Sequence, residues 1–295
     1  MRRFYSFIVL ATLVFVSPNA FSWGFYAHKK INRMAVYGVP APLSAFYKKN
    51  IDYITKHAVD PDKKRFVDSA EGPHHYINLD HYGTSPFAVL PKYWKDAVKK
   101  YTEDTLNKYG TLPWEIMYWE NKLTDAFKKK DLAVILRASA TIGHYVADAH
   151  VPLHTISNYN GQKTDQLGIH ALWESAIPEA FGDTYQHING GAIYLKDPAA
   201  TIWNILKQTY SLAPIVLADE KQVSSHFSKD QKYLPSNGDE HRVRYTTAYI
   251  AAYNKALNGM VEKQLHASAI DVASFWYTAW VNAGQPDLHN LVNKN

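Results

Sequence analysis

The sequence predicts an all-α protein built as a single multi-helix domain. Three observations carry that expectation. Apolar residues recur at three- and four-residue spacing over most of the chain, alternating strand-like runs are scarce, and no internal repeat or Pro/Ser-rich linker divides it. Hydrophobic residues make up 46% of the 295, at the level of globular proteins and too high for a disordered chain.

The first element is a targeting segment. Arg2 and Arg3 precede an apolar run from Phe7 to Val16, Ser17-Pro18-Asn19 breaks that run, and Ala20-Phe21-Ser22 supplies small residues before a cleavage point. Residues 1–22 read as a secretory signal peptide, and residues 23–295 as the domain. The run falls short of the ~20 apolar residues of a spanning helix, so no transmembrane anchor is expected after cleavage. The expected location is secreted or periplasmic. Lys+Arg number 32 against 27 Asp+Glu; that mild excess, without a polybasic patch, does not by itself indicate nucleic acid.

Helices are expected over Leu43–His57, Tyr93–Tyr109, Pro113–Lys129, Asp131–His150, Pro198–Glu220, Glu240 to about Leu265, and Ile270–Val281. Loops are expected over Val59–Pro91, Val151–Gly168 and Lys221–Asp239. In the Asp131 helix the apolar stripe runs through Ile135, Ala138, Ile142, Tyr145 and Val146.

The chain has no cysteine but 14 histidines. That excludes disulfide scaffolds, thiolate metal sites and cysteine nucleophiles. Any metal must be held by nitrogen and oxygen. His144 and Asp148 stand four apart inside the Asp131 helix, so they share a face and can reach one ion together. His154 follows past Pro152-Leu153, and His170 with Glu174 repeats the four-residue spacing. A lone pair of this kind is more often a salt bridge or a hydrogen-bonded core pair. Two pairs with a histidine between them point towards zinc.

The wider pattern is Trp23-Gly-Phe-Tyr-Ala-His28, Asp60, Gly72-Pro73-His74-His75-Tyr76, His144…Asp148…Pro152-Leu153-His154 and His170…Glu174. It resembles the superfamily of zinc-dependent phospholipases C and single-strand-specific nucleases of the S-one/P-one type. The match keeps order and spacing from Trp23 to Glu174. The resemblance implies an all-helical fold with three zinc ions. Asp60, His75, His144 and Asp148 would hold the first, and His154, His170 and Glu174 the second. The Trp23 α-amino nitrogen and carbonyl oxygen, with His28, would hold the third, Asp148 bridging it to the first. An uncleaved precursor offers no free amine at Trp23 and is expected to be inactive. Asp60 is chosen for its nuclease-like distance of fifteen residues from His75, with Asp62 and Asp68 as neighbours competing for the role. His74 is read as exposed or outside the ligand set, and His150 as structural.

The resemblance also implies the reaction: hydrolysis of phosphodiesters by zinc-activated hydroxide, with Asp60 and Asp148 as catalytic carboxylates. Tyr76, beside His75, is a candidate stacking platform for a base, a core aromatic being the more common role for such a residue. The Trp23–His28 step, the Asp60–His75 spacing and Trp173 before the acid look like the nuclease branch, hence single-stranded nucleic acid as substrate. Glu174 in place of Asp and the missing disulfides resemble the phospholipase C branch, hence phospholipid as the alternative, and Ala27 departs from the glycine common before the nuclease histidine. A non-catalytic zinc protein is the third reading. No stable protein partner is implied. Phe87-Ala-Val-Leu90 is a candidate apolar lip or a buried turn.

Overall fold

The computed structural model describes residues 23–185, 190–235, 243–289 and 291, so the signal peptide expected over 1–22 lies outside the described residues. Within them the chain is all-helical. The sole β pairing described is an isolated antiparallel bridge between Tyr233 and Tyr245. No described helix is long and apolar enough to cross a membrane.

Two helices form the centre. Leu112–Lys129 ends at Lys130 in the left-handed region, and Asp131 then caps Leu132–Asp148 by accepting a hydrogen bond from the Val134 amide at 3.1 Å. The tight turn lays the two helices against each other. Met260–Asn282 packs across both, and Phe25–Gly38 fills the remaining side against Met260–Asn282 and Leu132–Asp148. The Phe25–Gly38 helix was absent from the sequence expectation. Its buried face is short, Ala27, Ile31, Ala35 and Val36, and shares the helix with His28 and Asn32.

Other boundaries moved for local reasons. The expected Leu43–His57 helix breaks at Asn50, whose side-chain amide donates to the Phe46 carbonyl at 2.8 Å and competes with the helix ladder. Tyr93–Tyr109 breaks at Thr102, which has a φ of 67° and caps Glu103–Tyr109 with its hydroxyl. The gap expected between Leu265 and Ile270 is absent: Met260–Asn282 runs through it. The break lies earlier, where Asn258 and Gly259 both have positive φ. Val59–Pro91, expected as loop, holds the short helix Asp60–Lys64 and 3-10 turns over Ser69–His75 and Leu79–Tyr82.

Tyr47, Ser139 and Trp276 tie off one another's polar groups inside this core. The Tyr47 ring stacks on Trp276 at 4.5 Å, the Tyr47 hydroxyl meets Ser139 Oγ at 2.8 Å, and Trp276 Nε1 donates to the Ser139 carbonyl at 3.0 Å. Close approach is set at Gly143. A Cβ there would stand 2.1 Å from Asn32 Oδ1, whose amide nitrogen donates to the Ala140 carbonyl at 3.1 Å. Gly143 thus lets the Phe25–Gly38 helix press against the turn that presents His144. Gly143→Ala is expected to lower stability by about 1–3 kcal/mol through overpacking, read as a drop in the midpoint of a circular-dichroism melt. An unchanged midpoint would show that the contact has slack.

Candidate metal centre

Each group reaches the centre on a different element. The Leu132–Asp148 helix presents His144 and Asp148 from one face, both wholly buried. The Phe25–Gly38 helix brings His28, whose ring stacks on His144 with centroids 3.8 Å apart. Asp62 comes from Asp60–Lys64, His75 from the end of Ser69–His75, and His154 from the 3-10 turn Pro152–Thr155. His170 lies in Ile169–Ala171, and Glu174 in the π-turn Leu172–Ala176 that follows it. π-turns recur at functional positions.

Three groups result, each with its ligand-type atoms within 4.8 Å of one another: Asp62, His75 and His144; His28, His144 and Asp148; His154, His170 and Glu174. In the first, His75 Nδ1 lies 3.0 Å from both Asp148 Oδ2 and His144 Nε2, and 3.8 Å from Asp62 Oδ1. His144 Nε2 lies 3.3 Å from Asp148 Oδ2 and 3.8 Å from Asp62 Oδ1. The other Asp148 oxygen, Oδ1, is 3.4 Å from His28 Nε2. Glu174 Oε2 is 3.4 Å from His154 Nε2 and 2.9 Å from His170 Nε2. Four atoms held tetrahedrally at ~2.0–2.1 Å around one ion stand about 3.3–3.4 Å apart. The observed separations cluster around that edge length.

The imidazoles are oriented for it. His144 Nδ1 donates to the Ala58 carbonyl at 2.9 Å, and His154 Nδ1 donates to the His75 carbonyl at 2.6 Å. With Nδ1 donating to a carbonyl, Nε2 is the nitrogen that faces inwards, and in the neutral ring it offers a lone pair there, the arrangement of metal-ligating histidines. Both oxygens of Glu174 and both ring nitrogens of His170 are buried without a hydrogen bond. Such groups are costly unless something else satisfies them.

Electrostatics favour a cation at the same place. Burial lowers the pKa values of His28 and His154, and takes His170 down to about 3, the nearby Arg65 charge adding to it. These rings are therefore neutral and able to donate a lone pair. His144 is the reverse: burial opposes its charge, but Asp148 and Asp62 converge on it and raise it to about 9. Asp148 is opposed by burial, yet His144 and His154 hold it well below the usual carboxylate range. Burial pushes Glu174 up to about 8. Positive charge is stabilised beside His144 and wanted beside Glu174.

The loop between His154 and His170 is braced from behind. Gln166 Nε2 donates to Glu220 Oε2 at 2.6 Å, and Glu220 Oε1 accepts from Lys232 Nζ at 2.6 Å and from the Tyr249 hydroxyl. In the same loop Asn158 only braces its neighbours, accepting from the Lys163 amide at 2.7 Å and donating to Thr164.

One assignment needs correction. Asp60 stands outside all three groups. It opens its helix with a side chain 45% exposed, pairing with His57 and Lys63, which hold its carboxyl below the usual range against partial burial. Asp62, two residues on, points to the opposite side and is 2% exposed. Asp68 caps the next turn by accepting from the Ala70 amide. Fifteen residues of spacing chose Asp60; here the carboxylate among the histidines stands thirteen before His75. Asp62, and not Asp60, is the carboxylate that stands with His75 and His144.

Trp23 is wholly buried beside two of the groups. Its indole donates to the Ala147 carbonyl at 2.7 Å and packs on Trp173 at 4.8 Å, while the Gly24 amide donates to the Glu174 carbonyl at 3.0 Å. Gly24 is required there, since a Cβ would come within 2.5 Å of Ser175 Oγ. Tyr76 is half-buried, with Arg65 and Tyr159 close enough to affect its hydroxyl. His150 is structural, paired with Asp271 at 3.0 Å. Phe87 is half-buried, edge-on to Trp203 and Tyr210, and Leu90 is buried while Ala88 is exposed, so the segment is a short surface helix with its larger side chains turned inwards.

Sequence reasoning missed three residues. Arg65 places Nη1 3.8 Å from Asp62 Oδ1, and its charge is felt at His170. Tyr159 lies edge-on to His170 at 5.8 Å. Glu71 is buried behind His75. Arg65 and Glu71 carried a signal: three residues after Asp62 and four before His75, the spacings at which helical neighbours meet.

Asp62→Asn is expected to weaken divalent-metal binding by at least tenfold, whereas Asp60→Asn leaves it unchanged. Equilibrium dialysis with elemental analysis reads both, and the opposite ranking would return the role to Asp60. No protein-family model matches the chain, and no curated protein matches its sequence.

Proposed function

We propose that this chain is a secreted member of the zinc-dependent phospholipase C and single-strand-specific nuclease superfamily, a phosphodiester hydrolase with three zinc ions acting on single-stranded nucleic acid. The observation that carries this reading is the convergence of three carboxylates and five imidazoles, with His144 and His154 tied back through Nδ1 to backbone carbonyls. Nitrogen and oxygen donors in this ratio, at these separations, suit zinc. Asp62, His75, His144 and Asp148 would hold one ion, and His154, His170 and Glu174 a second. His28, Asp148 and the main chain of Trp23 would hold a third. Zinc there supplies Lewis acidity, polarising phosphoryl oxygens and making water a usable nucleophile near neutral pH.

The chain's own groups supply the rest. Asp148 turns one oxygen to His75 and His144 and the other to His28, so one carboxylate spaces two ion positions. Asp62, rather than Asp60, orients the attacking water. The Arg65 guanidinium, partly exposed between Asp62 and His170, neutralises a phosphate oxygen as charge builds. Tyr159 and Tyr76 offer ring surface next to that charge. Cation and ring together suit a strand whose bases are unpaired.

One observation favours the second reading, a phospholipase C. Next to Arg65 in the chain, Phe66 and Val67 are exposed at 54% and 87%; exposed apolar side chains beside that cation suit a lipid surface.

Purified protein beginning at Trp23 is expected to cut single-stranded DNA and RNA, to lose that activity with a chelator, and to leave phosphatidylcholine intact. The reverse pattern would establish the lipid reading. Inactivity on all three substrates with three zincs bound would sink both. Arg65→Ala is expected to lower kcat/KM on the preferred substrate by about 10²–10³, the usual cost of losing one donor to a developing oxyanion.

A further inference from the structure

We propose that Glu71 is the positioning residue for His75, fixing the ring with Nε2 towards the Glu71 carboxylate and Nδ1 towards the ligand cluster. The inference rests on the cluster being a metal centre, as proposed above, and adds a carboxylate that the ligand set does not contain.

His75 is the exception among the cluster's imidazoles. His144 and His154 present Nε2 and tie Nδ1 to a main-chain carbonyl. His75 presents Nδ1, 3.0 Å from both Asp148 Oδ2 and His144 Nε2, so its Nε2 is the nitrogen turned away. Glu71 Oε1 stands behind that nitrogen at 3.6 Å. Glu71 lies four residues before His75 on the same 3-10 turn and is 1% exposed. A carboxylate behind a ligating imidazole selects its tautomer and raises its basicity.

The Glu71 carboxylate is itself held on every side. The Tyr145 hydroxyl donates to Oε1, the oxygen facing His75. Lys64 Nζ donates to Oε2 at 2.7 Å, and His74 Nδ1 is 3.7 Å from the same oxygen. His74 in turn faces Glu115 at 3.8 Å, and Glu115 accepts from Trp119 Nε1 at 2.7 Å. Lys64 neutralises Glu71 locally, so the carboxylate does not compete for the cluster's cation. Lys64 also sits two residues from Asp62. The Lys64–Glu71 pair therefore joins the two elements that bring Asp62 and His75 together. Tyr145 adjoins His144 on the central helix, so the network touches the origin of each member of that group.

The test compares wild type, Glu71→Gln and Tyr145→Phe, all beginning at Trp23. Zinc affinity is measured by competition with a chromophoric chelator, and the visible absorption of the cobalt-substituted protein is recorded. Glu71→Gln is expected to weaken one bound ion about 10–100-fold, the usual cost of losing a group behind a ligand, and to shift the cobalt bands at saturation. Tyr145→Phe keeps ring volume and is expected to shift both readouts in the same direction by less. A merely structural Glu71 would change the melting temperature and leave the cobalt bands of the saturated protein where they were. Wild-type affinity and spectrum in both variants would overturn the proposal, and if Glu71→Gln does not fold, an unchanged Tyr145→Phe overturns it alone. A wild-type protein that binds neither zinc nor cobalt would instead overturn the metal reading beneath it.

Discussion

Asp148 is the point on which the rest of the structure turns. It ends the central helix with no exposure to solvent and faces His75 and His144 with one oxygen, His28 and His154 with the other. An ionised carboxylate in that position is tolerable only with partners on each side. The fold supplies them from the amino-terminal helix, from the Ser69–His75 turn and from the segment after Pro152. Helix packing around the apolar core brings those imidazoles to one carboxylate.

Two close approaches of the fold fall beside those partners. Gly143 admits Asn32 and so lets the amino-terminal helix place His28 against His144. Gly24 admits Ser175 and lets the main chain at Trp23 run alongside the π-turn that carries Glu174. Main-chain carbonyls at Ala58 and His75 take imidazole protons. These close approaches and imidazole–carbonyl contacts lie beside the buried cluster.

The all-helical class and the central helix were legible because long amphipathic segments carry their own periodicity, and Asp131 marks its helix start. His144 with Asp148, and His170 with Glu174, were legible for the same reason, since helix geometry converts a spacing of four into a shared face. The amino-terminal helix was not, because a narrow buried face interrupted by His28 and Asn32 leaves little periodic signal. Nor was the choice of Asp62 over Asp60. Both sit in one short helix two residues apart, and only the partners His57 and Lys63 turn Asp60 outwards. The place of Glu71 four residues before His75 was visible, but its burial was not. Its neighbours in space, Tyr145 and Lys64, come from separate elements, so its burial is a tertiary fact.

The most direct measurement is anomalous diffraction at the zinc absorption edge, from crystals of the protein beginning at Trp23. The expected map has three peaks: among Asp62, His75, His144 and Asp148; among His154, His170 and Glu174; and between His28, Asp148 and the Trp23 main chain. A map without peaks at these positions, or with zinc only at surface groups such as His57 and Asp60, would contradict the metal centre and the function built on it.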